Sequence, residues 1–461
     1  MFMILVSICL GAIILSGCQR LLHPSTVLST FIHSPQSAMS SNLIVLPRPG
    51  QITTGQAIPS PSEAAFVRTF GQLLPAASYL YTQNGRIAYY SQSPETNDPT
   101  ATIRRVLFIH GVQTPAIGLQ PLSKELFSRF PSAQGVLVDL WGHGLTDTPF
   151  APHEPALFHQ LIEDLMTHLG WRDAHMIGYS FGGSTTATFA AARPDRVSSM
   201  VLVAPAGLLR DAHFTDEERS YLRGGDDGLE EAAKDWILEF LEGGRLTVPS
   251  NWEERVARGE VVAEAVRDWE LKNHPGHQAS VIGVFRDGGV LDRHAEFLRA
   301  AKGGVPVLCV LGETDDICKA EDLYEVGLKN VAVVPGVGHG VVRERVPEVV
   351  HLIDTFWRAH LDTRLCNVVP SSSILLLSLT LNSVAVRRSR VTPTSVVLFD
   401  IQQKKQLAEL TMSGIKYVEP IALKLWSSWG PGCLPVQFTH DINEDTLNVL
   451  GASYVGHERK D

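Results

Sequence analysis

Ser180, Asp315 and His339 are the residues whose types and surroundings could do chemistry together. Ser180 lies in Gly178-Tyr179-Ser180-Phe181-Gly182-Gly183, between a short apolar run, His175-Met176-Ile177, and an Ala-rich run from Ser184 to Ala192. A strand, a sharp turn and a helix in that order put the serine at the tip of the turn. The G-x-S-x-G spacing has a steric reason: the serine backbone is strained and the flanking chain comes very close, so the residues two positions away must be small. The hydroxyl then stands at a helix N-terminus, where unpaired N–H groups favour developing negative charge. Alone the pattern is weak, since roughly 0.2 matches arise by chance in a chain of this size at ordinary Gly and Ser usage.

Asp315 lies in Gly312-Glu313-Thr314-Asp315-Asp316, straight after the apolar run Val305 to Leu311. His339 lies in Gly338-His339-Gly340, just past Val331 to Val334, and His110-Gly111-Val112 follows Val106 to Ile109. Each of these stretches follows the C-terminal end of an expected strand. In a parallel sheet those ends share one edge, and ligands bind there. The chain order Ser…Asp…His suits a nucleophile, its orienting acid and its base.

The elements that must position these residues alternate along the chain. Ser78 to Tyr81 and Arg86 to Tyr90 flank Asn84-Gly85, a hairpin signal. Val106 to Ile109 and Val136 to Leu140 read as buried strands, and Leu119 to Phe130 and Pro155 to Leu169 as helices. Val197 to Ala204 is a further strand. From Gly207 to about Gly289 strand signals vanish, and helix-like runs appear at Leu229 to Leu241 and Val261 to Leu271. Asp292 to Ala301 and Pro347 to His360 are again helical. Alternating strands and helices imply right-handed crossovers and a parallel sheet covered on both faces.

With His110-Gly111, Asp139-x-Trp141-Gly142-His143-Gly144, Gly178-x-Ser180-x-Gly182-Gly183, Gly312-x-x-Asp315 and Gly338-His339 in this order, the sequence resembles the α/β-hydrolase family, in its branch with a helical cap. The resemblance covers roughly Ala64 to Leu361. It implies an α/β fold: a mostly parallel central sheet with helices on both faces and a helical cap, about residues 207–289, inserted after the sixth strand. It also implies Ser180 as nucleophile, His339 as general base and Asp315 as its acid, with the backbone N–H groups of Phe181 and Val112 as the oxyanion hole. The Gly-x-x-Asp spacing favours Asp315 over Asp316 or Glu313. The implied reaction is acyl transfer through an acyl-enzyme, on a small or medium apolar ester, thioester, lactone or activated C–C bond. The alternatives are a lyase or cofactor-free peroxidase using the same elbow, and a catalytically silent binding protein.

His110, His143, His274 and His277 read as structural residues. His274 and His277 flank Pro275-Gly276 and lack the i, i+4 spacing of a zinc site. Asp139 and Asp147 are expected to fix their loop through backbone hydrogen bonds. The cap aromatics Trp236, Phe240 and Trp269 read as core rather than pocket. Neither a cofactor nor a metal is called for, and the expected partner is a small acyl substrate.

The chain has 461 residues, a formal net charge of -10 and no basic cluster, which argues against nucleic acid. Its 6 cysteines are scattered without a C-x-x-C pair, and Cys309 sits in an apolar run. Residues 1–18 form a hydrophobic segment, and three readings compete for it. It is a signal peptide or membrane anchor, an artefact of a start site truly at Met39 of a cytoplasmic protein, or a lipoprotein leader ending at Cys18. Residues 19–62 read as a flexible linker and 63–361 as the catalytic domain. For residues 362–461 the readings are a disordered extension and a small added domain.

Overall fold

The computed structural model describes residues 43–51, 55–98, 101–225 and 227–367, and the strands that lie between 376 and 417. The hydrophobic N-terminal segment, Cys18, Met39 and the stretch after 417 lie outside the described residues. Helix α1 (Glu63–Phe70) opens on Ser62, whose side chain accepts from the Ala65 N–H and so caps the helix. The hairpin follows as β1 (Ser78–Thr82) and β2 (Gly85–Gln92), with Thr82 opposite Gly85 across the turn. Then come β3 (Arg105–Ile109), α2 (Gln120–Arg129), β4 (Gln134–Val138), α3 (Pro155–His168), β5 (Ala174–Tyr179), α4 (Phe181–Ala192) and β6 (Val197–Val203).

The insertion after β6 is helical. It holds α5 (Asp216–Arg223), α6 (Asp227–Glu242), α7 (Trp252–Ala257), α8 (Ala263–Asn273) and α9 (His277–Asp287). The core resumes with α10 (His294–Lys302), β7 (Val307–Gly312), α11 (Ala320–Glu325), β8 (Val331–Val334), α12 (Val341–Glu344) and α13 (Val346–Asn367).

The sheet runs β1-β2-β4-β3-β5-β6-β7-β8. β1 pairs antiparallel with β2 and β2 with β4, while β3 to β8 are parallel to one another. Parallel strands need crossovers, and the helices that supply them cover both faces. Alternate residues of each strand therefore enter different cores. Leu107, Ile109 and Met176 pack with Phe158 and Leu161 of α3 and with Phe181 and Phe189 of α4. Val106, Phe108 and Ile177 pack with Leu122 and Leu126 of α2 and with Val349 and Ile353 of α13. Helix α4 is buried along nearly its whole length, which is why its sequence is small and apolar all round rather than amphipathic.

Two stretches read without regular elements in the sequence hold structure. The end of the stretch read as a flexible linker is packed: Leu46 is buried, Ile58 bridges to Thr148, and Arg48 forks onto Asp287 with a further bond to the Arg223 carbonyl. Its Pro-rich composition carries no periodicity, so single anchoring residues were invisible in it. The extension after 361, with disorder as one reading, carries the end of α13 and five strands. These are β9 (Leu376–Leu381), β10 (Val384–Arg388), β11 (Val396–Asp400), β12 (Lys405–Thr411) and β13 (Gly414–Tyr417). Each pairs antiparallel with the next. Strands of four to seven residues give periodicity little room to show. Among the described residues, no helix is long and apolar enough to cross a membrane.

Candidate active site

The turn between β5 and α4 holds Ser180 at φ 54° and ψ -118°, a conformation that costs a non-glycine residue about 1–3 kcal/mol. The surroundings over-determine it. The Ser180 N–H donates to the Val203 carbonyl at 3.0 Å, and its carbonyl accepts from Gly183, Ser184 and Ala206 at 2.9–3.1 Å. The flanking glycines are required by contact. A Cβ on Gly178 would overlap the Gly182 carbonyl and Thr186, and one on Gly182 would overlap the Ile109 and His110 carbonyls. The elbow is thus clamped between its own helix and the end of β3.

His339 and Asp315 reach Ser180 from the ends of β8 and β7. His339 Nε2 lies 2.9 Å from Ser180 Oγ, and its Nδ1 lies 3.2 Å from both oxygens of Asp315. The Ile317 and Cys318 N–H groups donate to Asp315 Oδ1 at 2.9 and 3.2 Å and aim the carboxylate. Asp315 is buried, while Asp316 and Glu313 are exposed. Glu313 caps the Gly336 N–H instead. The two loops approach so closely that a Cβ on Gly312 would overlap the Val337 and Gly338 carbonyls. The Tyr179 hydroxyl donates to the His339 carbonyl at 3.2 Å, which holds the base from behind.

The loop after β3 completes the front of the site. Gly111 lies against the elbow: a Cβ there would sit 2.9 Å from Ser180 Cβ and 3.1 Å from the Tyr179 ring. Val112 follows directly. At the first turn of α4 the Phe181 N–H has no intrahelical acceptor. The loop that holds Gly111 and Val112 and the first turn of α4 therefore both lie against the serine.

Two buried histidines lace this loop to the one after β4. The Leu140 N–H donates to His110 Nε2 at 2.9 Å, so the proton is on Nδ1, which donates to the Gly111 carbonyl at 2.6 Å. Reciprocally, the Gln113 N–H donates to His143 Nε2 at 3.1 Å, and His143 Nδ1 donates to the Trp141 carbonyl at 2.9 Å. Burial lowers the His110 pKa to about 4 and pushes that of His143 well below its ordinary value. Both stay neutral, as the hydrogen bonds require. Asp139 anchors the same pair of loops, accepting from the Ala116 and Leu145 N–H groups and the Tyr90 hydroxyl. Asp147 accepts from the Ser60 and Arg86 N–H groups.

The cap reaches down onto these loops. Glu270 of α8 accepts from the Gly144 N–H at 3.0 Å, His277 donates to the Gly142 carbonyl, and His274 bonds the Thr146 carbonyl. His277 and Glu270 lie 3.6 Å apart. Burial pushes the His277 pKa down to about 3 and that of Glu270 well up, so desolvation works against charge on both partners. None of these four histidines belongs to a metal cluster, and no group of three ligating residues occurs among the described residues. Trp236 and Phe240 pack with Phe214 and Phe285, and Trp269 with Phe66 and Phe70.

Sequence reasoning missed Tyr179 and Glu270. A glutamate at the end of the apolar face Val266-Trp269-Glu270 was the available signal for the second. It also missed a charged cluster beside the site. Arg267 of α8 pairs with Glu242 at the end of α6 at 2.9 Å. Burial raises the Glu242 pKa, and the nearby Arg267, Gln113 side chain and Arg343 act against that rise.

A family model for the alpha/beta hydrolase fold matches residues 104–342. A dihydrolipoyllysine-residue acetyltransferase component of an acetoin cleaving system, from Pseudomonas putida, is 28% identical over 228 residues, covering 49% of this chain and 56% of that protein. The chain thus spans little more than half of that relative's length. A 2-(acetamidomethylene)succinate hydrolase from Mesorhizobium japonicum is 26% identical over 262 residues, covering 53% of this chain and 84% of that one. Among solved structures, an enol-lactonase from Burkholderia xenovorans is similar with 18% identity and a TM-score of 0.45, over 61% of this chain and 100% of that one.

Proposed function

Because the chain belongs to the alpha/beta hydrolase fold family, whose model covers more than half of it, we propose that it is a serine hydrolase working through an acyl-enzyme. The observation that carries this reading is the unbroken line Ser180 Oγ, His339 Nε2, His339 Nδ1, Asp315, with contacts of 2.9 and 3.2 Å.

The Asp315 carboxylate can only accept, so it fixes the His339 proton on Nδ1 and leaves Nε2 to take the serine proton. Ser180 Oγ then attacks the substrate carbonyl. The developing oxyanion meets the N–H groups of Phe181 and Val112, each worth about 2.7–4 kcal/mol in the barrier. The imidazolium, stabilised by Asp315, returns its proton to the leaving group. A water activated by the same histidine hydrolyses the acyl-enzyme. The substrate is a small acyl compound: an ester, thioester, lactone or activated C–C bond.

Labelling with a fluorophosphonate probe tests the reading. Wild type should label stoichiometrically and Ser180→Ala should not. A folded wild type that stays unlabelled would overturn the assignment of the nucleophile. A panel of p-nitrophenyl esters of graded acyl length then reports what the cap admits.

A further inference from the structure

The chain ahead of β1 holds on to the cap at two places. Helix α1 grips one half of it. Phe66 and Phe70 pack against Trp269 of α8 at ring distances of 5.1 and 6.1 Å, and Phe70 packs against Trp252 of α7 at 6.2 Å. Leu46 and Arg48 meet the other half. Leu46 lies over α9, where a Cβ on Gly283 would meet it at 3.8 Å. Between the two places the chain is clipped to the core. Ile58 and Thr148 exchange backbone hydrogen bonds of 2.8 and 2.9 Å, and Ser60 donates to Asp147 and to the Leu145 carbonyl. All of these anchors lie outside residues 104–342, the part that the family model matches, on the side that comes first in the chain.

Arg48 stands at the C-terminal ends of two cap helices at once. Its Nε and Nη2 donate to the two oxygens of Asp287, the last residue of α9, at 2.6 and 2.9 Å. Its Nη1 donates to the carbonyl of Arg223, the last residue of α5, at 2.7 Å. A carboxylate in the last turn of a helix faces the negative end of the helix dipole, and the last carbonyls of a helix lack partners within it. One guanidinium meets both needs, which its planar fork does better than an ammonium. The Asp287 side chain is only 11% exposed, so water replaces Arg48 poorly there.

The two helix ends belong to one unit. Arg286, beside Asp287, donates to the Tyr221 carbonyl of α5 at 2.9 Å and to Glu230 of α6 at 2.6 Å. The start of α9 is fixed separately, by His277 on the Gly142 carbonyl and Ser280 on the Trp141 carbonyl. Arg48 thus secures the α5–α6 end of the cap, while the α8 side is secured without it. Both stems of the cap touch the nucleophile or its helix. The Ala206 N–H donates to the Ser180 carbonyl at 2.9 Å, and Ser184 Oγ donates to the Gly289 carbonyl at 2.6 Å.

We propose that Arg48 is a clasp through which the chain ahead of β1 holds the α5–α6 end of the cap in place. Releasing it frees that end alone and lets longer acyl chains reach Ser180. The clasp stands without the serine-hydrolase reading, and only its effect on acyl length rests on that reading.

Hydrogen exchange of the full-length protein, followed by mass spectrometry of its peptides, tests the clasp. In Arg48→Met the amides of α5 and of the last turn of α9 should exchange about tenfold faster than in wild type, while those of α8 and α4 keep their rates. Asp287→Asn should loosen the same peptides, and Arg48→Lys should loosen them less than Arg48→Met. The variant carrying both Arg48→Met and Asp287→Asn should be no looser than the looser single variant, because the two residues act through one contact. Unchanged exchange in α5 and α9, or a rise of equal size throughout the protein, overturns the clasp. In Arg48→Met the ratio of kcat/KM for p-nitrophenyl octanoate to that for p-nitrophenyl acetate should rise about threefold or more. A ratio that keeps its wild-type value while exchange rises overturns the control of acyl length. Failure of the nucleophile reading shows separately, as folded wild type that does not label with fluorophosphonate.

Discussion

Replacing His143 by Leu tests whether the oxyanion loop is held in place from behind. The ring is fully buried and makes two hydrogen bonds, one to each loop. Leucine is close to histidine in volume, so the change deletes polar contacts more than packing. The two lost bonds are not equivalent. The Trp141 carbonyl also accepts from Ser280 Oγ at 2.8 Å and stays satisfied. The Gln113 N–H is left buried without an acceptor, which costs about 1–3 kcal/mol of stability.

The kinetic effect follows from the backbone at the same residue. Gln113 holds φ at 68°, a strain of about 1–3 kcal/mol for a non-glycine residue. The hydrogen bond to His143 is of the same size as that strain, so deleting it lets the peptide relax. Val112, whose N–H is the proposed oxyanion donor, is the next residue back. Complete loss of one such donor costs about 100- to 1000-fold in kcat. A loosened donor loses part of that, so His143→Leu should lower kcat by about 10- to 100-fold with KM within about threefold. His143→Gln can still present an oxygen to the Gln113 N–H, and should recover most of the loss. The assay is steady-state hydrolysis of a p-nitrophenyl ester, with thermal unfolding to confirm the fold. A folded His143→Leu protein with kcat unchanged, or a Gln variant no better than Leu, would refute the reasoning.

Two further outcomes are expected. Asp315→Asn should lower kcat by about 10⁴-fold, because an amide N–H facing His339 Nδ1 selects the wrong tautomer, while exposed Asp316→Asn should stay within about twofold; comparable losses for both would remove Asp315 from its role. Acid should weaken the fold, since burial lowers His110, His153 and His159 to about 4 and His277 to about 3. The unfolded chain takes up protons near pH 6.5, so stability is complete above that value and falls as pH drops toward 4, by about 2 kcal/mol per histidine at pH 5. Asp139, raised to about 6, and Glu270, raised further, act with the opposite sign and offset part of this. The urea midpoint followed by tryptophan fluorescence should therefore be lower at pH 5 than at pH 7; an equal or higher midpoint would sink the account.

How much of this was legible in the sequence depends on how local the cause is. The central strands came through because a strand buried on both faces must be apolar along its length, and Val106 to Ile109 and Val136 to Val138 are. The elbow came through because Gly178 and Gly182 are required by contacts that no other residue survives. The choice of Asp315 over Asp316 rested on spacing, and burial of one carboxylate against exposure of the other gives it a physical cause. The lacing by His110 and His143 was not legible, since its partners are backbone groups about 30 residues away. Backbone groups carry no letter in the sequence.

The cap was the least legible part for a related reason. Two of its five helices were anticipated, α6 and α8; α5, α7 and α9 were not. Helix α7 spans only Trp252–Ala257, too short for periodicity, and α9 is buried along most of its length, so neither shows one apolar stripe. Yet the cap contacts that bear on the site are few and polar. Glu270 meets Gly144, His277 meets Gly142, and Glu242 stands among Gln113, Arg267 and Arg343. A helical insertion that merely covered an apolar pocket would have no need of buried polar contacts there. Placing buried polar groups of α8 and α9 on Gly144 and Gly142 fixes where the cap sits through hydrogen bonds that only one position of those helices can make. In the proposed reaction the elbow and its two partners set the chemistry, and the cap, held in one place by these bonds, shapes which acyl group reaches them.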